Sequence, residues 1–298
     1  ILRAVDDVSF AVGQNECVGL VGESGCGKST LANLIMRLIP ATRGQIIFDG
    51  QDITKLSAAK LKPLRSQMQI IFQDPYSSLN PRKTIGDIIG APLKIHNPHI
   101  TKEELNSKIA ELLKMVGLSD QYIYHYPHEF SGGQRQRIGI ARAIALKPKL
   151  ILCDEPVSAL DVSVQAQVIN LLQDLKTNLN LSFLFIAHDL SVVKHISDRI
   201  IVMYLGKIVE IANKNDLFDN PLHPYTKALI SAIPIPDPNI KSERIILKGD
   251  AAMPSGENQG CLFASRCYKK QTICTTTPPP CHCEGGRMCL CHFPNKEG

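Results

Sequence analysis

The stretch Glu16-Cys17-Val18-Gly19-Leu20-Val21-Gly22-Glu23-Ser24-Gly25-Cys26-Gly27-Lys28-Ser29-Thr30 decides the fold. Its apolar first part, Glu16 to Val21, reads as a buried strand. Lys28 to Ile39 reads as a helix closed by Pro40. Between them Gly22 to Ser29 matches G-x-x-x-x-G-K-[ST] in the strand-to-helix setting the motif demands. Glycines let successive backbone N–H groups turn inward around phosphate oxygens. The helix that follows points its positive end at the same anion. In that geometry Lys28 holds the β- and γ-phosphates of a nucleoside triphosphate and Ser29 ligates Mg²⁺. Glu23, Ser24, Gly25, Cys26, Gly27 and Thr30 complete the loop. The bland alternative, a glycine turn with a solvated lysine, fits the flanking strand and helix poorly.

Further along, Leu150-Ile151-Leu152-Cys153-Asp154-Glu155 is an apolar strand ending in two carboxylates. Asp154 at a strand tip holds Mg²⁺ directly or through water. Glu155 is then placed to orient or activate a water against the γ-phosphorus. Two acids after a strand ordinarily mark a solvated turn, and the phosphate loop is what lifts them above that.

Around these two motifs the chain alternates strands and helices. Val5–Val12, Gln45–Phe48, Gln69–Gln73, Phe183–Ala187, and the hairpin Ile200–Met203 with Lys207–Ile211 read as strands. Thr101 with Glu104 forms a capping box, and Leu105, Ile109, Leu112, Leu113 and Val116 give that helix its apolar face. Asp161 opens a helix faced by Val164, Val168, Leu171, Leu172 and Leu175, and Asp189 caps a shorter one. Such alternation predicts an α/β fold with a mostly parallel sheet covered on both faces. A helical insert spans about residues 75 to 147. Past Ile233 the prolines Pro234, Pro236 and Pro238 mark a linker, so two domains are expected: 1–234, and a small extension over 235–298.

The 298 residues are 44% apolar and 20% charged, ordinary for a globular protein. No apolar run approaches the ~20 residues that span a bilayer, and no signal peptide opens the chain. The net charge of +5 fits an anionic ligand or a membrane surface and an ordinary solvated surface equally well, and its lack of a long basic block gives no reason to expect a nucleic-acid partner.

Ser131-Gly132-Gly133-Gln134-Arg135, just before the acidic strand, resembles the signature of the ABC-type nucleotide-binding domain, a P-loop NTPase fold. Read physically, it is a second anion-binding helix start, with Ser131 at the N-terminus and two glycines that let its amides approach phosphate. The other family elements follow in order. Gln73, in Phe72-Gln73-Asp74-Pro75, is similar to the Q-loop glutamine, which touches Mg²⁺ and lies near the permease contact. Ser158-Ala159-Leu160-Asp161 resembles the D-loop. His188 resembles the switch histidine that contacts the γ-phosphate. The resemblance covers about residues 1–235. It implies ATP and Mg²⁺ as ligands, and ATP sandwiched between the phosphate loop of one subunit and the signature serine of another. Gln73 and the helical insert then pass the motion to a permease.

Tyr126-Pro-His-Glu-Phe-Ser131, Ile186-Ala-His-Asp-Leu-Ser-Val-Val-Lys-His195, Asn220-Pro-Leu-His-Pro-Tyr-Thr226 and Ala232-Ile-Pro-Ile-Pro-Asp-Pro238 resemble the peptide/nickel importer branch, the F-type ATPase subunits of oligopeptide permeases above all. That resemblance implies import of oligopeptides, with dipeptides, nickel or another small cargo as the alternative. It implies a second ATPase subunit (a D-type paralogue or a second copy), two transmembrane permease subunits and an external peptide-binding protein. The expected location is peripheral, on the cytoplasmic face of a bacterial inner membrane. A soluble ABC ATPase of DNA repair or translation would carry two ATPase halves or a long coiled-coil insertion, and neither is present. A redox-sensing regulator is the remaining alternative. The chain begins at Ile1, inside what should be the first sheet, and lacks the family's upstream adenine-stacking aromatic, so it reads as a fragment.

Seven of the ten cysteines fall in the last 38 residues. Disulfides suit neither their odd number nor a cytosolic ATPase. Cys261, Cys267, Cys274 and Cys291 resemble the C-terminal cluster motif of peptide-importer ATPases. Four thiolates suit a [4Fe–4S] cluster, or zinc as readily. Cys289 is an alternative ligand, Cys281 and Cys283 have no assigned place, and free thiols in a loose tail are the bland reading.

Overall fold

The computed structural model describes residues 3–74, 76–234, 244–249 and 260–295. Most of the expected linker, including Pro236 and Pro238, lies outside the described residues. Two compact units are present. The first comprises 1–11, 17–31 and 187–298, and the second 12–16 and 32–186.

In chain order, β1 (Cys17–Val21) leads through the glycine loop into α1 (Lys28–Ile35), and a short hairpin, β2 (Ile47–Phe48) and β3 (Gln51–Asp52), follows. Next come α2 (Ala58–Arg65) and β4 (Met68–Ile71), then the helical insert of α3 (Ile85–His96), α4 (Lys102–Met115) and α5 (Gly132–Ile144). The strand–helix alternation resumes with β5 (Leu150–Asp154), α6 (Val162–Leu179), β6 (Ser182–Ile186), α7 (Leu190–Ile196), β7 (Arg199–Tyr204) and β8 (Lys207–Asn213). Helices α8 (Lys214–Asp219), α9 (Pro224–Ser231) and α10 (Ile273–Thr276), then strands β9 (Cys281–Glu284) and β10 (Arg287–Leu290), complete the described elements.

In the second unit β4, β5 and β6 form a parallel ladder, with Met68 opposite Leu150 and Leu150 opposite Ser182. Strand β6 is buried along its whole length, which suits the continuous apolar run Phe183-Leu184-Phe185-Ile186 that follows Ser182. Phe48, Ile53, Leu61 and Met68 form a local core beneath the hairpin. The capping box at Thr101 is present, the Glu104 N–H donating to Thr101 Oγ1 at 3.2 Å and the Thr101 N–H to Glu104 Oε2 at 3.1 Å. Leu105, Ile109, Leu112, Leu113 and Val116 are buried, the face that the 3.6-residue period predicts.

In the first unit β1 lies parallel to β7, and the sheet continues antiparallel through β8, β10 and β9. Leu205 and Gly206, at φ 44° and 84°, make the tight turn between β7 and β8. Gly19 in β1 is needed for packing, since a Cβ there would lie 2.4 Å from Val193 Cγ1 of α7.

Three expectations about elements are corrected. Val5–Val12 is not a strand: Asp7 sits at φ 55°, which interrupts extension, and Asp6 is tied by ion pairs to Arg3 and Lys207. Helix α1 stops at Ile35, not Ile39. The Arg37 N–H donates to Leu34 O and the Leu38 N–H to Asn33 O, with Arg37 at φ 54°, a Schellman closure before Pro40 takes effect. Strand β4 ends at Ile71, two residues short of Gln73. The tail hairpin β9–β10 has no counterpart among the sequence expectations.

Candidate nucleotide site and C-terminal thiol site

The phosphate loop is held by its own first unit. Gly22 has φ 154°, and a Cβ there would lie 2.2 Å from Met203 O. Gly27 has φ 107°, and a Cβ there would lie 2.2 Å from Ala4 O. Both glycines are therefore required by close backbone approach as well as by dihedral angle. Lys28 is 5% exposed, and its Nζ donates to Gly22 O at 2.8 Å and Glu23 O at 3.0 Å. The ammonium thus rests against the carbonyls of the loop's entrance. Burial raises the Cys26 thiol above its ordinary range, against the opposing pull of Lys28. Ser29 and Thr30 lie in the first turn of α1.

In the second unit, Asp154 ends β5 and Glu155 follows at φ 47°. A left-handed backbone at a non-glycine residue costs on the order of 1–3 kcal/mol and gathers at functional sites. Here it is fixed by the Glu155 N–H donating to Ile186 O at 3.0 Å and by Ser158 Oγ donating to Glu155 O at 3.0 Å. Gln73 Nε2 donates to Glu155 Oε2 at 2.9 Å. The two residues, 82 apart in sequence, are thereby brought to one point.

Ser131 caps α5 with a full capping box, its Oγ accepting from the Gln134 N–H at 3.3 Å and Gln134 Oε1 accepting from the Ser131 N–H at 3.0 Å. Gly132 and Gly133 follow, and a Cβ on Gly133 would meet Val164 Cγ1 of α6 at 2.4 Å. Asp161 stands at the N-cap position of α6 without a side-chain cap bond. Arg135 lies over the Tyr76 ring at 3.9 Å, and Arg142 Nη1 donates to Ser78 O at 2.7 Å. These contacts tie the signature helix to the segment just past Gln73. His188 follows β6 as an exposed residue, next to Asp189, which caps α7 by accepting from the Ser191 N–H.

The described tail gathers the four cysteines singled out in the sequence. Cys261, Cys267, Cys274 and Cys291 line one cavity with Phe263 and His292. Burial is the leading reason that the Cys261 and Cys267 thiols sit above their ordinary range and that Cys291 is pushed up to about 11. Among the described residues no three such side chains close on a point that one metal ion would share. A tetrahedral zinc with Zn–S of about 2.3 Å needs its sulfurs about 3.8 Å apart. Cys289 lies opposite Glu210 in the β8–β10 ladder, away from that lining. Cys281 and Cys283 sit exposed on β9 with their sulfurs 3.5 Å apart.

Sequence reasoning missed the aromatic group around Phe263, with ring centroids 5.3 Å from Tyr204, 5.4 Å from Tyr225 and 5.6 Å from His223. It also missed the Arg266–Glu23 ion pair at 2.7 Å. No local pattern marks a pair 243 residues apart. His223 is enclosed so fully that burial pushes it down to about 3, leaving a neutral ring whose Nδ1 accepts from the Tyr225 N–H.

Comparison with known proteins places this arrangement. The ABC transporter family matches residues 5–158, and the oligopeptide/dipeptide transporter C-terminal region matches residues 209–274. The oligopeptide transport ATP-binding protein AppF of Bacillus subtilis is 55% identical over 93% of this chain and 85% of its own length. OppF of Escherichia coli, of the same description, is 51% identical over 93% of this chain and 84% of its own. Among solved structures, the post-hydrolysis dimer of the ATP-binding cassette MJ0796, bound to ADP and phosphate, matches with a TM-score of 0.66 at 30% identity, covering 72% of this chain and 91% of that one. CbiO1 of Clostridium perfringens, part of the cbiONQ transporter complex, matches with a TM-score of 0.66 at 25% identity, covering 72% of this chain and 84% of that one. A P-loop α/β cassette with the ABC signature, followed by the oligopeptide-type C-terminal region, makes this chain a member of the ABC transporter ATP-binding family.

Proposed function

We propose that this chain is the ATP-hydrolysing subunit that powers import of oligopeptides through a membrane permease. The observation that carries the reading is the reach of the likeness. More than half identity to oligopeptide transport ATP-binding proteins extends over 93% of the chain, through the cassette and the C-terminal region alike. We retain the division into a nucleotide-binding domain, 1–234, and a C-terminal extension, 235–298.

The roles follow from chemistry. The amides of Gly22 to Ser29 and the Lys28 ammonium hold the β- and γ-phosphates, with Thr30 at the helix start. Ser29 and Asp154 take Mg²⁺, with Gln73 near it. Glu155 orients and deprotonates the attacking water, and His188 meets the γ-phosphate. Gln73 Nε2 donates to the Glu155 carboxylate, so the same glutamine orients the base and would stand beside bound Mg²⁺, which would supply charge stabilisation at the phosphates. Ser131, Gly132, Gly133, Gln134 and Asp161 serve ATP on a second cassette, a D-type paralogue or another copy. A pair of membrane permease subunits and an external peptide-binding protein complete the assembly. Among the described residues no helix is long and apolar enough to cross a membrane. Peripheral attachment at the cytoplasmic face of the inner membrane therefore rests on the permease.

The transporter assembled in liposomes is expected to raise its ATPase rate several-fold when oligopeptide-loaded binding protein is added. Stimulation by nickel or dipeptides and not by longer peptides would replace oligopeptides as cargo. For the thiol cavity we infer a [4Fe–4S] group held by Cys261, Cys267, Cys274 and Cys291, which would supply covalent cross-linking of the extension. Anaerobically purified protein is expected to carry about four irons per chain. Stoichiometric zinc without iron, or a folded metal-free tail, would remove that assignment.

A further inference from the structure

Glu23, the second residue of the phosphate loop, is fixed at three points within the first unit. Its N–H donates to the Tyr225 hydroxyl at 2.9 Å, its carbonyl accepts from Lys28 Nζ at 3.0 Å, and its Oε2 accepts from Arg266 Nη1 at 2.7 Å. Neither outer partner belongs to the loop. Tyr225 lies on α9, and Arg266 on the tail turn that runs from Cys261 to Cys267. That turn is folded by its own bonds, the Ala264 N–H donating to Cys261 O at 3.0 Å and the Arg266 N–H to Phe263 O at 3.0 Å. It is seated by Phe263 against Tyr204 and Tyr225, whose own rings lie 4.7 Å apart.

The Arg266–Glu23 pair is partly buried, with side-chain exposures of 9% and 29%. A partly buried pair is screened less than a fully exposed one. Removing its cation leaves a carboxylate of like sign beside the place where a triphosphate must bind. Tyr204 adds a further contact to the same guanidinium. The loop's entrance is thereby braced from outside by two elements that sequence places far downstream.

We propose that Arg266 and Tyr225 are positioning residues for ATP, bracing the phosphate loop from α9 and the C-terminal extension. This deepens the ATP-site reading above and rests on it. By linkage, whatever the turn does for nucleotide affinity, nucleotide does in equal measure for the order of the turn.

The test is equilibrium binding of MgATP and MgADP to the full chain, for the wild type and for Arg266→Gln, Arg266→Lys, Tyr225→Phe, Glu23→Gln and the double variant Glu23→Gln/Arg266→Gln. Arg266→Gln is expected to raise the Kd for MgATP about tenfold, or about 1.4 kcal/mol, with kcat at saturating ATP within twofold of wild type. Arg266→Lys should recover part of that loss. Tyr225→Phe, which keeps the ring, should raise Kd about threefold. The double variant should be no weaker than Arg266→Gln alone, the non-additivity of a direct pair. MgATP should slow hydrogen exchange over residues 260–267 in the wild type and do so less in Arg266→Gln. A lowered Tm with wild-type Kd, or additive losses in the double variant, would reduce Arg266 to a packing residue and overturn the proposal. A wild-type chain that binds no nucleotide would instead overturn the ATP-site reading itself.

Discussion

Glu155→Gln is expected to lower steady-state ATP hydrolysis by about a thousandfold while leaving MgATP affinity near wild type. General-base assistance contributes on the order of 10²–10⁴ in rate. The amide that replaces the carboxylate keeps the size and the hydrogen-bonding reach toward Gln73, whose Nε2 now donates to Glu155 Oε2 at 2.9 Å. It cannot take a proton from water. The left-handed backbone at this position is fixed by main-chain bonding to Ile186 and by Ser158, neither of which the substitution touches. A folding defect is therefore not expected, and circular dichroism with a thermal melt checks that directly. With ATP bound and not consumed, the paired cassettes should stay closed, seen as a dimer in gel filtration with MgATP and as monomer without it. Hydrolysis within threefold of wild type would remove Glu155 from the role of base.

Lys28→Met is expected to weaken MgATP binding by about a hundredfold, some 2.7 kcal/mol. The charge-assisted bond from this ammonium to phosphate is among the strongest single contacts in such a site. Methionine keeps most of the buried volume of a side chain that is 5% exposed. What is lost is the cation, together with its bonds to Gly22 O and Glu23 O. Gly22 is buried and its carbonyl loses this donor, whereas Glu23 is only partly buried, so a stability loss of about 1–3 kcal/mol is expected. Isothermal titration with MgATP and MgADP measures the first quantity and a denaturant melt the second. An unchanged Kd would mean that the triphosphate lies elsewhere.

Much of this was legible in the sequence because the decisive signals are local. The loop from Gly22 to Ser29 announces its own geometry, and the backbone closeness that would place an added Cβ 2.2 Å from Met203 O at Gly22 and 2.2 Å from Ala4 O at Gly27 shows why both positions need glycine. The capping box at Thr101 and the serine cap at Ser131 are local and legible in the sequence, while the return bond from Gln134 that completes a box at Ser131 is seen only in the structure. The errors arose where short-range pattern competed with backbone geometry. Val5 to Val12 has strand composition, yet Asp7 at φ 55° breaks the extension. Helix α1 ends in a Schellman closure at Arg37, a residue with no special claim on left-handed backbone. The tail was harder still. Strand β9 reads Cys-His-Cys-Glu, without apolar alternation, and β10 finds its partner β8 through Met288 and Ile211, far apart in the chain. Cys261, Cys267, Cys274 and Cys291 line one cavity, and Cys289 is not among its lining residues.

The most direct test of the chemistry assigned to Glu155 is the identity of the nucleotide that the closed assembly retains. Wild type and Glu155→Gln are incubated with MgATP, freed of unbound nucleotide and quenched in acid, and the retained species are separated. Intact ATP in Glu155→Gln and mostly ADP in wild type is the expected result. ADP in both would mean that the γ-phosphate is cleaved without this carboxylate, and the assignment of Asp154 and Glu155 to metal and water would fall with it.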